Sequence, residues 1–524
     1  MKSPIADGAR VGYSLHVSIH DLCRIRPLLV LLLAVEAGCG TEAEPDLEPV
    51  CECVGVVEGR SVDFRCGVGG CVDGLGLRCD AHNSLVVDAS YCAVPMPDGG
   101  MVEETCEPAC GSGQVCASTT CVDVSVVGVA SEGELVVHDV VGLSPTSGAV
   151  IGDAYGTFSA QSRTFVPASE HDGVIWVAGD RPRLFGVHSS GTSSAKVASL
   201  TPSGLTVSGH YVGSATIGDR LELATREWSM GWVIEYDVAS DTFLGSEFSG
   251  LDNRRTFFGA ARSISGAQPS FFVGWTERDG DDVASFVGRT VPGTLEVDWR
   301  RSFSWSIASG ITDLFVDGTS LWVAGVFVGE VTHRGNSYSS SYNAAFPVTE
   351  DAFLFRFDAQ TGEPLPGEVI VGAHFDNESL RGFGRSGSRL VAGFRYERAD
   401  PQGVLVVLGP EMTEERRIVV MGLDLRASYV VGDRIAFFGT AGELLELDGA
   451  DASCDGCALD LAGGSVGLDG SDPRLWRIRS SSRAQVEHAH YSEHGIFAAV
   501  RETEGSDVLG GARFGLVRLD PGPP

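Results

Sequence analysis

Ile311-Thr-Asp-Leu-Phe-Val-Asp317-Gly318-Thr-Ser-Leu-Trp322-Val-Ala-Gly325-Val-Phe327, followed after a polar Gly/Ser/Asn loop by Asp351-Ala-Phe-Leu-Phe-Arg-Phe357-Asp358, decides how the rest of the chain reads. It holds three short apolar runs, rich in Val, Phe and Trp and bounded by turn residues. Each is too short for a buried helix and has the composition of a β-strand. A unit of this size cannot cover both of its own faces, so copies must stack on it.

Copies do recur. Asp172-Gly173-Val-Ile-Trp176-Val-Ala-Gly179 repeats the Asp-Gly and the Trp-Val-Ala-Gly, and weaker cousins run over 204–209, 270–274, 387–394, 432–439 and 495–500. A second apolar run follows each: 183–187, 231–237, 284–288, 352–358, 404–408, 443–448 and 514–520. These pairs predict an all-β chain whose residues 124–524 form a β-propeller of about seven blades, with six or eight allowed by the fainter copies. The segment 329–350 is expected to be a long surface loop.

Composition agrees. Gly numbers 68 and charged residues are 21% of the chain, as in turn-rich β proteins. The formal charge of −32, from 70 acids against 38 Lys and Arg, excludes nucleic acid as a partner, because phosphate binding needs clustered cations. Scattered acids leave only a weak case for bound calcium.

The fourteen cysteines are unevenly placed. Cys51, Cys53, Cys66, Cys71, Cys79, Cys92, Cys106, Cys110, Cys116 and Cys121 crowd into residues 51–123, and Cys454 and Cys457 form a separate Cys-Asp-Gly-Cys. The first group lacks the Cys-x2-Cys and His spacing of structural zinc sites, so a disulfide-rich module is expected, each bridge contributing about 2–4 kcal/mol. Their connectivity is open. Arg24 and Arg26 before the apolar run Leu28 to Val35, then Glu36-Ala-Gly-Cys39, make an export signal over 1–38, with 1–22 read as lying before the true start. Residues 39–50 are an acidic, Pro-containing tether.

The Ala-Gly-Cys39 ending resembles the lipobox of bacterial lipoproteins, with Glu36 standing where that pattern carries an apolar residue. The resemblance implies diacylglycerol on Cys39, attachment to a membrane and, with Gly40 next, an outer-membrane address. Residues 311–358 resemble the SBBP-type propeller repeats of bacterial cell-surface proteins, in which an Asp-Gly turn precedes a strand ending in Gly-x-Phe and a later strand reads Asp-Ala-Phe-hydrophobic-x-Phe-Asp.

Three groups bear on chemistry. His488, His490 and His494 lie close enough in sequence to be a metal site, with zinc the natural choice, although partly exposed imidazoles at a strand end explain the pattern equally. Gly463-Gly-Ser465-Val-Gly467 matches a nucleophile elbow but lacks the flanking strand and helix, and is read as a Gly-rich turn. Trp176, Trp275 and Trp322 are read as blade packing. The expected function is an exported, lipid-anchored envelope protein whose propeller binds a protein or glycan. A secreted polysaccharide hydrolase or lyase and a passive surface-coat component are the alternatives.

Overall fold

The computed structural model describes residues 52–57, 60–65, 69–72, 75–79, 85–87, 114–117, 120–200, 204–218, 220–248, 255–264, 270–279, 282–291, 296–304, 308–340, 350–371, 377–397, 401–453, 459–478, 483–492, 494–502, 509 and 512–520. All regular structure among them is β. The chain divides into two units, Met1–Met101 and Val102–Pro524. In the first, Glu52–Val57 pairs with Arg60–Arg65, and Gly69–Val72, Leu75–Cys79 and Leu85–Val87 form a three-stranded sheet. Cys53, Cys71 and Cys79 lie in these strands. Cys39, Cys51, Cys66, Cys92, Cys106, Cys110, Cys454 and Cys457 fall outside the described residues.

Among the described residues, the second unit is a propeller of seven four-stranded antiparallel blades. From innermost strand outward, blade 1 is Leu135–Ser144, Ser147–Ala154, Asp172–Ala178 and Arg183–Ser189. Blade 2 is Ser193–Leu200, Gly204–Ile217, Leu221–Asp237 and Thr242–Phe248. Blade 3 is Arg255–Ile264, Ser270–Asp279, Asp282–Thr290 and Val297–Ser304. Blade 4 is Ala308–Asp317, Ser320–Val328, Asp351–Asp358 and Pro364–Val371. Blade 5 is Asn377–Ser386, Arg389–Glu397, Gln402–Leu408 and the first part of Glu414–Val431. That long strand then turns at Gly422, φ 75°, and its second part opens blade 6, completed by Arg434–Leu447, Asp460–Gly467 and Arg474–Ile478. Blade 7 is Ala484–Ser492, Gly495–Glu502, Phe514–Asp520 and, as its outer strand, Thr120–Glu132.

The start of the propeller therefore closes its end: Asp123 to Ala130 pairs with Phe514 to Asp520 across almost the whole domain. Innermost strands of successive blades touch around the axis, and the blade 7 strand touches that of blade 1. Burial follows the same order. Seven apolar clusters fill the seven gaps between neighbouring blades, from Val177 with Trp232 between blades 1 and 2 to Trp176 with Phe497 between blades 7 and 1. A flat sheet face without a mate would leave this apolar area in water, so ring closure is what stabilises each blade.

Several expectations need correction. The Asp172–Gly179 copy is not equivalent to Asp317–Gly325: the latter ends the hairpin into a second strand, whereas the former is the third strand of blade 1. The true counterpart is Val150-Ile151-Gly152 in Ser147–Ala154. Residues 443–448 continue the second strand of blade 6 into its hairpin rather than forming a third strand. That place is taken by Asp460–Gly467, which holds the Gly463-Gly-Ser465-Val-Gly467 read as a turn and is buried throughout. The paired glycines make room there: a Cβ at Gly463 would sit 2.6 Å from the Trp476 ring, and one at Gly464 2.7 Å from Phe437. The expected long loop contains a hairpin, Glu330–His333 with Asn336–Ser339, whose His333 stacks on Phe355 at 4.4 Å. Gln114–Ala117 and Thr120–Glu132 lie in the second unit, with Cys116 directly opposite Cys121 in the strand register.

Candidate functional site

Each innermost strand carries one extra residue relative to its partner, at the same place. In blades 1 to 7 the extra residues in the register are His138, Lys196, Gly259, Thr312, Arg381, Arg426 and Glu487. A β-bulge bends its strand and re-aims the local side chains. The innermost strands all run in the same direction, so the seven bulges sit at one level of the axis.

The recurrent glycine of the sequence repeats belongs to this device. Gly152, Gly209, Gly325 and Gly439 lie opposite the residue just before a bulge. A Cβ there would come within 2.3, 1.9, 2.4 and 2.0 Å of the carbonyl oxygens of Val136, Ser194, Gly310 and Asp424. Only a residue without a Cβ lets the bulged backbone approach so closely.

Inward of the bulges lies a cavity of about 380 Å³, lined among the described residues by the innermost strands of blades 1, 2, 4, 5, 6 and 7. Arg381, Arg426, His488 and His490 face it from blades 5, 6 and 7, and Asp139 and Asp313 from blades 1 and 4. Phe315, Phe383, Tyr429 and Tyr491 supply aromatic wall, the two tyrosines stacked with centroids 3.2 Å apart. Both tyrosine hydroxyls have pKa values raised, first by burial.

The charged groups are differently engaged. Asp139 Oδ1 and Oδ2 accept from the backbone N–H groups of Val140 and Ala198, each at 2.8 Å, and Asp313 Oδ1 accepts from Leu314 N–H at 2.7 Å. These carboxylates brace the backbone beside their bulges. Asp424 accepts from both Arg395 and Arg426, and Arg426 Nη1 also donates to the Glu487 carbonyl at 2.8 Å. Glu487, the single acid at a bulge, pairs with Arg501 at 2.8 Å. His488 Nδ1 stands 3.6 Å from Asp139 Oδ1. Burial holds the His488 pKa well below the ordinary histidine value, and the Arg381 and Arg426 charges push it the same way.

A second cluster lies beside the axis between blades 1 and 2. Asp153 Oδ2 is 2.8 Å from His138 Nε2 and 3.3 Å from Lys196 Nζ, and Ser194 Oγ donates to Asp153 Oδ1 at 2.7 Å. Burial would raise the Asp153 pKa, but His138, Lys196 and Ser194 outweigh it and hold it well below the carboxylate range. Lys196 is one of two lysines in the chain, the other being Lys2. Nearby His210 is pushed down to about 4, chiefly by burial.

His488 and His490 thus share the axial cavity, as their spacing suggested, while His494 occupies the turn after them. Its backbone N–H donates to Ser492 Oγ at 3.1 Å and its carbonyl accepts from Arg518. Among the described residues no group of three or more His, Cys, Asp or Glu is placed to hold a metal ion. Ser465 is no elbow nucleophile: it lies inside a strand, and its hydroxyl accepts from Arg434 Nη2 at 3.0 Å. Trp176, Trp275 and Trp322 are buried between blades. Sequence reading missed Arg381 and Arg426 altogether; the signal that could have found them is the glycine facing the bulge, not the arginines themselves.

No family model matches the chain and no curated protein matches it. Among solved structures, a mutant of the Synechocystis apocarotenoid oxygenase is similar over 54% of this chain and 64% of that one, at 10% identity and TM-score 0.32. The Dos1 propeller is similar over 74% and 93%, at 10% identity and TM-score 0.36. A subtype N10 neuraminidase-like protein from a little yellow-shouldered bat is similar over 62% and 97%, at 13% identity and TM-score 0.31. The chain spans less than two thirds of that oxygenase, and likenesses at these scores carry no argument about activity. The propeller assignment rests on the strand pairing itself.

Proposed function

We propose that the chain is an exported envelope protein, held to the outer membrane by a lipid on Cys39, whose propeller is a binding module for a protein or glycan partner. The axial cavity is the observation that carries the binding part of this reading. It is concave, and aromatic rings and charged groups from five blades converge on it, which is how small-molecule and carbohydrate sites are built. The anchor rests on the signal-like segment ending at Cys39, and the even number of cysteines left after it suits an oxidising compartment.

Peptide and intact mass spectrometry of protein taken from its native membrane tests the anchor. A mature terminus at Cys39 with acyl mass and the twelve remaining cysteines oxidised is expected, and an unlipidated terminus removes the anchor from the proposal. Glycan-array and cross-linking capture with the full chain tests the binding role. Saturable capture lost on changing the cavity wall by His490→Ala, in protein with an unchanged melting profile, supports it; capture indifferent to that change moves the binding face elsewhere.

A further inference from the structure

We propose that Lys196 is an activated amine that captures a small aldehyde as an imine, with His138 as its base. This goes beyond the binding-module reading and does not rest on it. Lys196 Nζ lies 2.7 Å from His138 Nε2, and His138 Nε2 lies 2.8 Å from Asp153 Oδ2. Asp153 is 3% exposed, and its Oδ1 accepts from Ser194 Oγ at 2.7 Å and from Ala195 N–H at 3.2 Å. The carboxylate is thereby fixed with Oδ2 turned to the imidazole. A nucleophile within hydrogen-bond reach of a base, itself oriented by a third group, is the arrangement by which enzymes activate such side chains.

The choice of lysine matters. Of the 38 Lys and Arg, only Lys2 and Lys196 are lysine. Near the axis, arginines meet the other carboxylates, as Arg395 and Arg426 do at Asp424 and Arg501 does at Glu487. Arginine would serve an ion pair with Asp153 at least as well, but it cannot give up its proton and lysine can. Lys196 Nζ also stands closer to the imidazole than to the carboxylate, 2.7 against 3.3 Å. At that distance one nitrogen donates and the other accepts, so the ammonium proton is already aimed at the base. The Lys196 and His138 side chains are 29% and 23% exposed, which lets a small carbonyl compound reach Nζ from solvent.

An aldehyde is the electrophile that uses both halves of this pair. The Lys196 ammonium passes a proton to His138 Nε2, and the Nζ lone pair attacks the carbonyl carbon. A C–N bond forms, the C=O π pair moves to oxygen, and a nitrogen proton transfers to that oxygen. The imidazolium then returns its proton to the hydroxyl of the carbinolamine, which leaves as water while the nitrogen lone pair forms C=N. One ammonium and one aldehyde give one protonated imine and one water, with no oxidant or reductant. The positive charge stays on Nζ beside Asp153, so the ion pair survives the reaction and the carboxylate favours the charged product. Asp153 is a positioning residue in this scheme, and Lys196 and His138 carry the chemistry.

Reductive trapping tests the inference. The full chain and a terminally capped peptide with one lysine share a solution of acetaldehyde and sodium cyanoborohydride, and peptide mass mapping follows alkylation of each with time. Lys196 is expected to be alkylated about tenfold or more faster than the peptide lysine, since a positioned base contributes at least that much. His138→Gln keeps a side-chain N–H for Asp153 but removes the base, and should slow alkylation about tenfold or more with an unchanged melting profile. Lys196→Arg should abolish the propeller adduct. Alkylation of Lys196 no faster than that of the peptide, or a folded His138→Gln variant alkylated like the parent, overturns the inference. If His138→Gln does not fold, the comparison with the peptide decides alone.

Discussion

A single missing side chain repeated around the ring sets the geometry of the axis. Gly439 faces the blade 6 bulge so closely that a Cβ would lie 2.0 Å from the Asp424 carbonyl and 3.2 Å from Arg426 N. Gly439→Ala is therefore expected to cost about 1–3 kcal/mol in chemical denaturation, as overpacking does. Gly442, three residues on, has nothing within 4 Å of a built Cβ and an ordinary φ, so Gly442→Ala should be neutral or slightly stabilising. Equal effects at the two sites would sink the account of the glycine repeat. Histidines give a second residue-scale prediction. His210 is neutral when folded down to about pH 4, and His488 is also held low, while both take up protons near pH 6.5 once unfolded. A depressed folded pKa contributes stability that is present above the unfolded value and lost as pH falls. Each group then removes about 1.4 kcal/mol per pH unit between about 6.5 and its folded value. Urea midpoints at pH 7, 6, 5 and 4 should drop accordingly, and a His210→Gln variant should show a shallower fall; a flat midpoint across that range contradicts the buried, neutral state.

At the scale of elements, the closing strand is the vulnerable one. Thr120–Glu132 covers the edge of Phe514–Asp520 and contributes Val122, Val127 and Ala130 to the core. An uncovered edge of this length, beside apolar faces, is a template for association. A chain beginning at Val102 is expected to melt cooperatively like the full chain, because the compact unit starts there. A chain beginning at Gly133 is expected to lose the cooperative transition and to aggregate on size-exclusion chromatography. Indistinguishable melts for the two would mean that blade 7 is stable with three strands. The same element scale explains the misread copies. Asp172–Gly179 and Ser320–Val328 are both wholly or almost wholly buried strands, and burial on two faces selects the same Val, Ile and Trp whichever position the strand holds in its blade. Composition reports burial, not rank within the sheet.

For the whole molecule, closure decides what meets at the axis. His138 and Glu487, or Asp139 and His488, are about as far apart in sequence as two residues of the propeller can be, and they stand on neighbouring strands because blade 7 packs on blade 1. Short apolar runs with a period-two pattern, glycines at their ends and Asp-Gly turns are local properties, set by what each strand buries and where the chain must reverse. They determined the all-β class, the repeat and the approximate blade number from the sequence alone. The innermost strands were harder to see because one face looks onto a partly polar channel, which breaks the apolar run that marks the buried strands behind them. Which residues share that channel was decided only by the tertiary structure, since the bulge that re-aims Arg381 and Arg426 is a relation between two strands, and the ring that brings them to His488 and Asp139 exists only when the first strand has paired with the last.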